Sequence, residues 1–157
     1  MDVKLQFTPS GAEVTIKQSG WKSSESDAEK IKKDFEELIS DHEQAERKMS
    51  ENMGLYLTDK KIFLKDNKIH TEYRGLASMH SVQNQMNLKE SNEEWILVQP
   101  LAAGVKVESN GKILRTDKNA VLAWPKDAAT LTLAIIDENT IRRKDNLLDL
   151  YKSWEKK

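Results

Sequence analysis

The sequence predicts an α+β fold: an N-terminal β-hairpin, one long amphipathic helix, a mainly antiparallel sheet of about six further strands, and a C-terminal helix. Three observations carry this. Apolar and polar residues alternate with period two near the start and through most of the second half of the chain. A helical rhythm stands without a competing strand reading only in one stretch of the first third and in the last dozen residues. Between the strand-like runs lie short Pro, Gly, Asn and Asp clusters with the chemistry of turns.

Val3, Leu5 and Phe7 share one face, and Val14 and Ile16 repeat that spacing after Thr8-Pro9-Ser10-Gly11. Proline fixes φ and glycine suits a tight reversal, so residues 3–17 read as a hairpin. After a polar loop containing Trp21, Ser26 precedes Glu29 at capping-box spacing, and Asp27 suits the positive end of a helix. Ala28, Ile31, Phe35, Leu38, Ile39, Ala45 and Met49 then continue at helical spacing, giving a helix over 27–49 that ends before Gly54. Strands are expected at 55–57, 61–64 and 69–73, with turns at Thr58-Asp59-Lys60 and Asp66-Asn67. Residues 76–90 fit a short helix (Met79, Val82, Met86) or a strand (Met86, Leu88) equally well. Trp95-Ile96-Leu97-Val98 reads as a central strand, and Ser109-Asn110-Gly111 as a hairpin tip between Val105/Val107 and Lys112-Ile113-Leu114. Ala120–Trp124 and Thr130–Ile136 complete the strands. Leu147, Leu148, Leu150, Tyr151 and Trp154 return to helical spacing.

Composition narrows the functional classes. At 157 residues the chain fits one domain, 1–157, and can bury roughly 70% of its unfolded surface without a metal or disulfide. It has no cysteine, which removes disulfides, thiolate metal sites and cysteine nucleophiles. Twenty-five basic against 26 acidic residues argues against general nucleic-acid affinity. No apolar run approaches the roughly 20 residues of a membrane-spanning helix.

Motifs of catalysis are sparse. His42, His70 and His80 lie on separate elements without metal-ligand pairing, so no metal and no cofactor is expected. Ser-x-x-Lys at Ser19–Lys22 and Ser153–Lys156 lacks the companion motifs of serine acyl-enzymes. Gly104 to Gly111-Lys112 has the wrong spacing for a phosphate loop. An enzyme would have to assemble dispersed groups such as His70, Glu72 and Asp137.

Two features point to contact rather than catalysis. Trp21 sits in a Gly/Ser loop, as a lid on the core or an exposed contact. Arg142-Arg143-Lys144 is the densest basic spot and could meet phosphates or anionic headgroups. These four residues are the candidate ligand- or partner-binding set. Charge is also uneven. Residues 22–53 carry six basic and ten acidic side chains and residues 142–157 six basic and three acidic, so the two helices are expected to complement one another across the fold.

The order of elements resembles the mature domains of bacterial membrane-anchored lipoproteins, the LppM-like group among them. The residues concerned are Val3-Lys4-Leu5-Gln6-Phe7 with Gly11, Glu108-Ser109-Asn110-Gly111-Lys112, and Val121-Leu122-Ala123-Trp124. The chain departs from that group in having no lipobox, no cysteine and no hydrophobic C-terminal anchor. The resemblance implies an extracytoplasmic, non-catalytic binding or interaction domain, anchored through a removed N-terminal lipid-modified cysteine, with a protein or lipid partner at the cell envelope. Two alternatives stand beside it: a helix-grip-like cup, its sheet curled around the C-terminal helix to hold a small apolar ligand, and a cytoplasmic partner-binding or inhibitor protein.

Overall fold

The computed structural model describes residues 1–157 as an α+β fold. In chain order the elements are β1 (Asp2–Thr8), β2 (Gly11–Ser19), α1 (Ala28–Glu43), α2 (Ala45–Met53), β3 (Leu55–Lys65), β4 (Lys68–Ser78), α3 (Met79–Asn84), β5 (Lys89–Glu90), β6 (Glu94–Pro100), β7 (Val105–Ser109), β8 (Lys112–Arg115), β9 (Asn119–Pro125), β10 (Thr130–Asp137), α4 (Glu138–Ile141) and α5 (Leu148–Glu155). The strands form two sheets, β3-β4-β2-β1-β10-β7 and β5-β6-β9-β8. Every pairing is antiparallel. No helix is long and apolar enough to cross a membrane.

The large sheet buries one face. Pairing sets Val3 opposite Ile16 and Leu133, and Leu5 opposite Val14 and Leu131, so the alternation seen in sequence becomes one continuous apolar surface. Part of that face packs against the small sheet through Trp95, Ala120, Leu122 and Trp124, with Ala45, Val82 and Leu88 closing the sides. The rest packs under α1 and α5, where Phe35, Leu38 and Ile39 meet Ile69, Leu147 and Tyr151. The other face of the large sheet is polar and carries Lys17, Glu72 and Arg74. There Glu72 accepts from Arg74 Nε at 2.6 Å and lies 3.2 Å from Lys17 Nζ.

Several local expectations are corrected. The long helix is two, broken at Gln44, and its N-cap is Asp27 rather than Ser26: the Asp27 carboxylate accepts from the Glu29 and Lys30 amides at 3.1 Å each. Residues 58–60 make no turn. β3 runs unbroken through them with an irregularity between Leu57 and Asp59, which moves the inward set from Leu55 and Leu57 to Lys60, Ile62 and Leu64. The Asp66-Asn67 turn does form, with φ of 52° and 56°, the left-handed pair a two-residue hairpin needs.

Ser109-Asn110-Gly111 is the corner where the chain leaves one sheet for the other, not a hairpin tip, since β7 pairs with β10 and β8 with β9. Nor does the sheet curl around the last helix: α5 has eight residues and lies beside α1. The α1–α5 contact is apolar, and the one ion pair joining residues 22–53 to 142–157 is Lys22–Asp145, opposite in sense to the expected complementarity.

The helix break has a partner on β3. Lys60 Nζ donates to the His42 and Glu43 carbonyls at 3.2 and 2.9 Å and to Glu46 Oε2 at 2.7 Å, placing a cation at the negative end of α1. His42 Nδ1 lies 3.1 Å from the Tyr73 hydroxyl. Burial and then the Lys60 charge hold the imidazole below its ordinary 6.5, against the opposing pull of Glu46 and Glu43. Between the lowered folded value and 6.5 the unfolded chain binds more protons, so this contribution is complete above 6.5 and fades as pH falls through the folded value. The urea midpoint of the parent should therefore drop on acidification below about pH 6.5, and His42→Gln should flatten that part of the curve. Identical pH dependence in the two proteins would rule His42 out as the source.

Candidate binding site between the sheets

Where the two sheets part, an apolar slot of about 290 Å³ remains. Its floor is the inward row of the large sheet, Val3 and Leu5 of β1, Val14 of β2, and Leu131, Leu133 and Ile135 of β10. Leu97 and Trp124 of the small sheet form the facing wall, and Met53, Met86 and Leu88 close one side. Twelve of the fifteen lining residues are hydrophobic, and Gln85, Gln99 and Thr132 supply the polar exceptions. The slot follows from local rules: period-two alternation aims β1, β6 and β10 inward, and Met53 at the end of α2 and Met86 just beyond α3 fill space with adaptable side chains. Trp124 is held at the wall by its indole N–H, which donates to Asn110 Oδ1 at 2.8 Å.

A second, more polar concavity of about 640 Å³ adjoins it, with Met1 and Ile135 lining both. Trp21 forms part of its wall. Its Nε1 donates to Thr71 Oγ1 at 3.2 Å, and its ring packs at the edge of the Phe35–Tyr151 cluster, so it is half-buried with a fixed orientation. The Lys22 side chain is 7% exposed and held by acceptors: its Nζ donates to the Ile141 and Arg143 carbonyls at 3.1 and 2.7 Å and lies 3.4 Å from Asp145. Asn146 ties the same two loops together, accepting from the Ser23 amide at 2.9 Å and donating to its carbonyl at 3.1 Å. Asp137 caps α4. Its Oδ2 accepts from the Thr140 hydroxyl at 2.7 Å and its Oδ1 from the Asn139 amide at 2.9 Å. The Thr140 hydrogen bond above all holds its carboxyl below the ordinary range.

Of the four residues singled out in sequence, Trp21 and Arg143 line this concavity together, while Arg142 and Lys144 are exposed beside it and line neither space. His70, Glu72 and Asp137 do not assemble. His70 contacts Ser19 Oγ at 2.9 Å and the Lys65 carbonyl at 3.1 Å, Glu72 belongs to the polar outer face, and Asp137 is spent on its own helix turn. Three metal-ligating side chains converge nowhere in the fold. Sequence reasoning missed the slot, because its lining comes from six elements and the α3–β5 connection, whose shared face exists only once the sheets pair. The one available signal was Met53 and Met86 at the ends of short helical runs. Comparison with family models, with curated proteins and with solved structures finds no match to this chain.

Proposed function

We propose that this chain is a non-catalytic binding domain that takes a small apolar molecule into the slot between its two sheets. The observation that supports this is the slot itself: an open space of about 290 Å³, apolar on nearly every side. Protein interiors leave few voids larger than a water molecule, and ligand pockets begin at about 300 Å³ with mainly hydrophobic walls and a few polar groups. Gln85 and Gln99 are polar groups of that kind.

Titration of the native protein with the neutral dye N-phenyl-1-naphthylamine tests the reading. Saturable one-to-one binding with a change in tryptophan emission is expected, because Trp124 lines the slot. Leu97→Trp, which adds an indole to the slot wall, should weaken the dye at least about tenfold, roughly 1.4 kcal/mol. Leu114→Ser, on the exposed outer side of the small sheet, should leave binding unchanged. No saturable binding, or equal binding by Leu97→Trp, would remove the proposal.

A further inference from the structure

The two adjoining spaces differ in character, and the difference specifies a ligand. The slot is apolar; the larger concavity beside it presents two cationic side chains without carboxylate partners. Of its three basic side chains, Lys22 is already engaged by two carbonyls and Asp145. Lys68 and Arg143 enter none of the ion pairs in the fold. The Asp137 carboxylate is engaged on both oxygens by its own helix turn, although the Arg143 charge also reaches it.

Arg143 departs from a fixed point. Its carbonyl accepts from Lys22 Nζ and its amide donates to the Thr140 carbonyl at 3.1 Å. Ile141, 62% exposed, stands at the same concavity, an apolar surface with no partner inside the fold.

We propose that the ligand is an anionic amphiphile: a linear alkyl chain occupies the slot and its carboxylate or phosphate head lies between Lys68 and Arg143, against the Trp21 indole. This rests on the binding role proposed above and adds the head to it. The chain passes Met1 and Ile135, the residues common to both spaces, and its first methylenes cover Ile141. Arginine and lysine both pair with either oxyanion, arginine by a planar two-point contact. An amphiphile therefore satisfies in one molecule the unpaired cations, the exposed isoleucine and the apolar slot.

Calorimetry on the full chain at low salt, with decanoate, decan-1-ol and decyl phosphate as probes, tests this. Decanoate should bind at least about tenfold tighter than decan-1-ol, and the gap should shrink as salt is raised. Lys68→Gln combined with Arg143→Gln should bring decanoate down to the level of decan-1-ol and leave the alcohol and N-phenyl-1-naphthylamine unchanged. Arg142→Gln with Lys144→Gln, next to the concavity but outside it, should leave decanoate at parental affinity. Decyl phosphate binding above decanoate assigns the head to a phosphate monoester, as in a lipid headgroup; the reverse order assigns it to a free carboxylate. Equal affinity of decanoate and decan-1-ol for the parent overturns the anionic head while leaving the slot in place. Failure of every probe, the neutral dye included, removes the binding role itself.

Discussion

Gly11→Ala should cost about 3 kcal/mol or more of folding stability, among the largest effects of any single methyl group in this chain. Gly11 opens β2 and pairs across to Ser78 at the end of β4. A Cβ built there overlaps the Ala77 carbonyl oxygen and comes within 3.0 Å of the carbonyl carbon and 3.1 Å of Ser78 Cα. All three atoms are backbone, in the centre of a six-stranded sheet, so no side-chain rotation relieves the overlap. Either β4 moves away from β2, breaking the ladder that sets Val14 opposite Gly75 and Ile16 opposite Tyr73, or the β1–β2 turn deforms. Urea unfolding should show a large drop in midpoint with the slope preserved. Ser10→Ala, one residue earlier on the exposed turn, should stay within about 0.5 kcal/mol of the parent. A Gly11→Ala midpoint matching that of Ser10→Ala would show that β4 does not approach Gly11 as closely as described.

Gly11 also shows what could be read in advance and what could not. The sequence marks it as a turn glycine, chosen for backbone freedom, yet its φ is not positive, and closeness to a third strand is what excludes a side chain. The element it belongs to was legible because alternation is local; the reason for the glycine was not, because the β4 residue that crowds it, Ala77, lies 66 residues further along. The same division holds elsewhere. The first helix is readable from Ile31, Phe35, Leu38 and Ile39, but its break at Gln44 depends on Lys60 reaching the carbonyls from β3. Trp21 is recognisable as an aromatic lid, and its partner Thr71 is not. Arg143 reads as one of three equivalent basic residues. Only the clamp between Lys22 and residues 141–145 separates it from Arg142 and Lys144. In each case the chain announces a residue's type and element, and a non-local contact decides its task.

Asn110→Ala should lower stability by about 2–3 kcal/mol and loosen the wall of the slot. Asn-Gly here serves a corner between sheets, and the asparagine side chain makes three hydrogen bonds. Its Nδ2 donates to the Thr130 carbonyl at 2.9 Å, and its Oδ1 accepts from the Thr132 amide at 2.9 Å and from the Trp124 indole N–H at 2.8 Å. The first two partners lie near solvent and can turn to water. Trp124 cannot do so as readily: it is 2% exposed, and a buried donor left unpaired costs about 1–3 kcal/mol. Gly111 is bound to the same ring, since a Cβ there would sit 2.7 Å from Trp124 Cδ1 and Nε1. Asn110→Asp keeps the acceptor for both donors and loses only the bond to Thr130, so it should fall between the parent and the alanine variant. Because Trp124 faces the slot, loss of its anchor should also weaken N-phenyl-1-naphthylamine in the alanine variant while the aspartate variant keeps more of the affinity. Stability and dye binding would then fall in the same order, parent, Asn110→Asp, Asn110→Ala. If Asn110→Ala unfolds within about 0.5 kcal/mol of the parent, the corner is held by Gly111 and the strand ladders alone, and the orientation of Trp124 needs another cause.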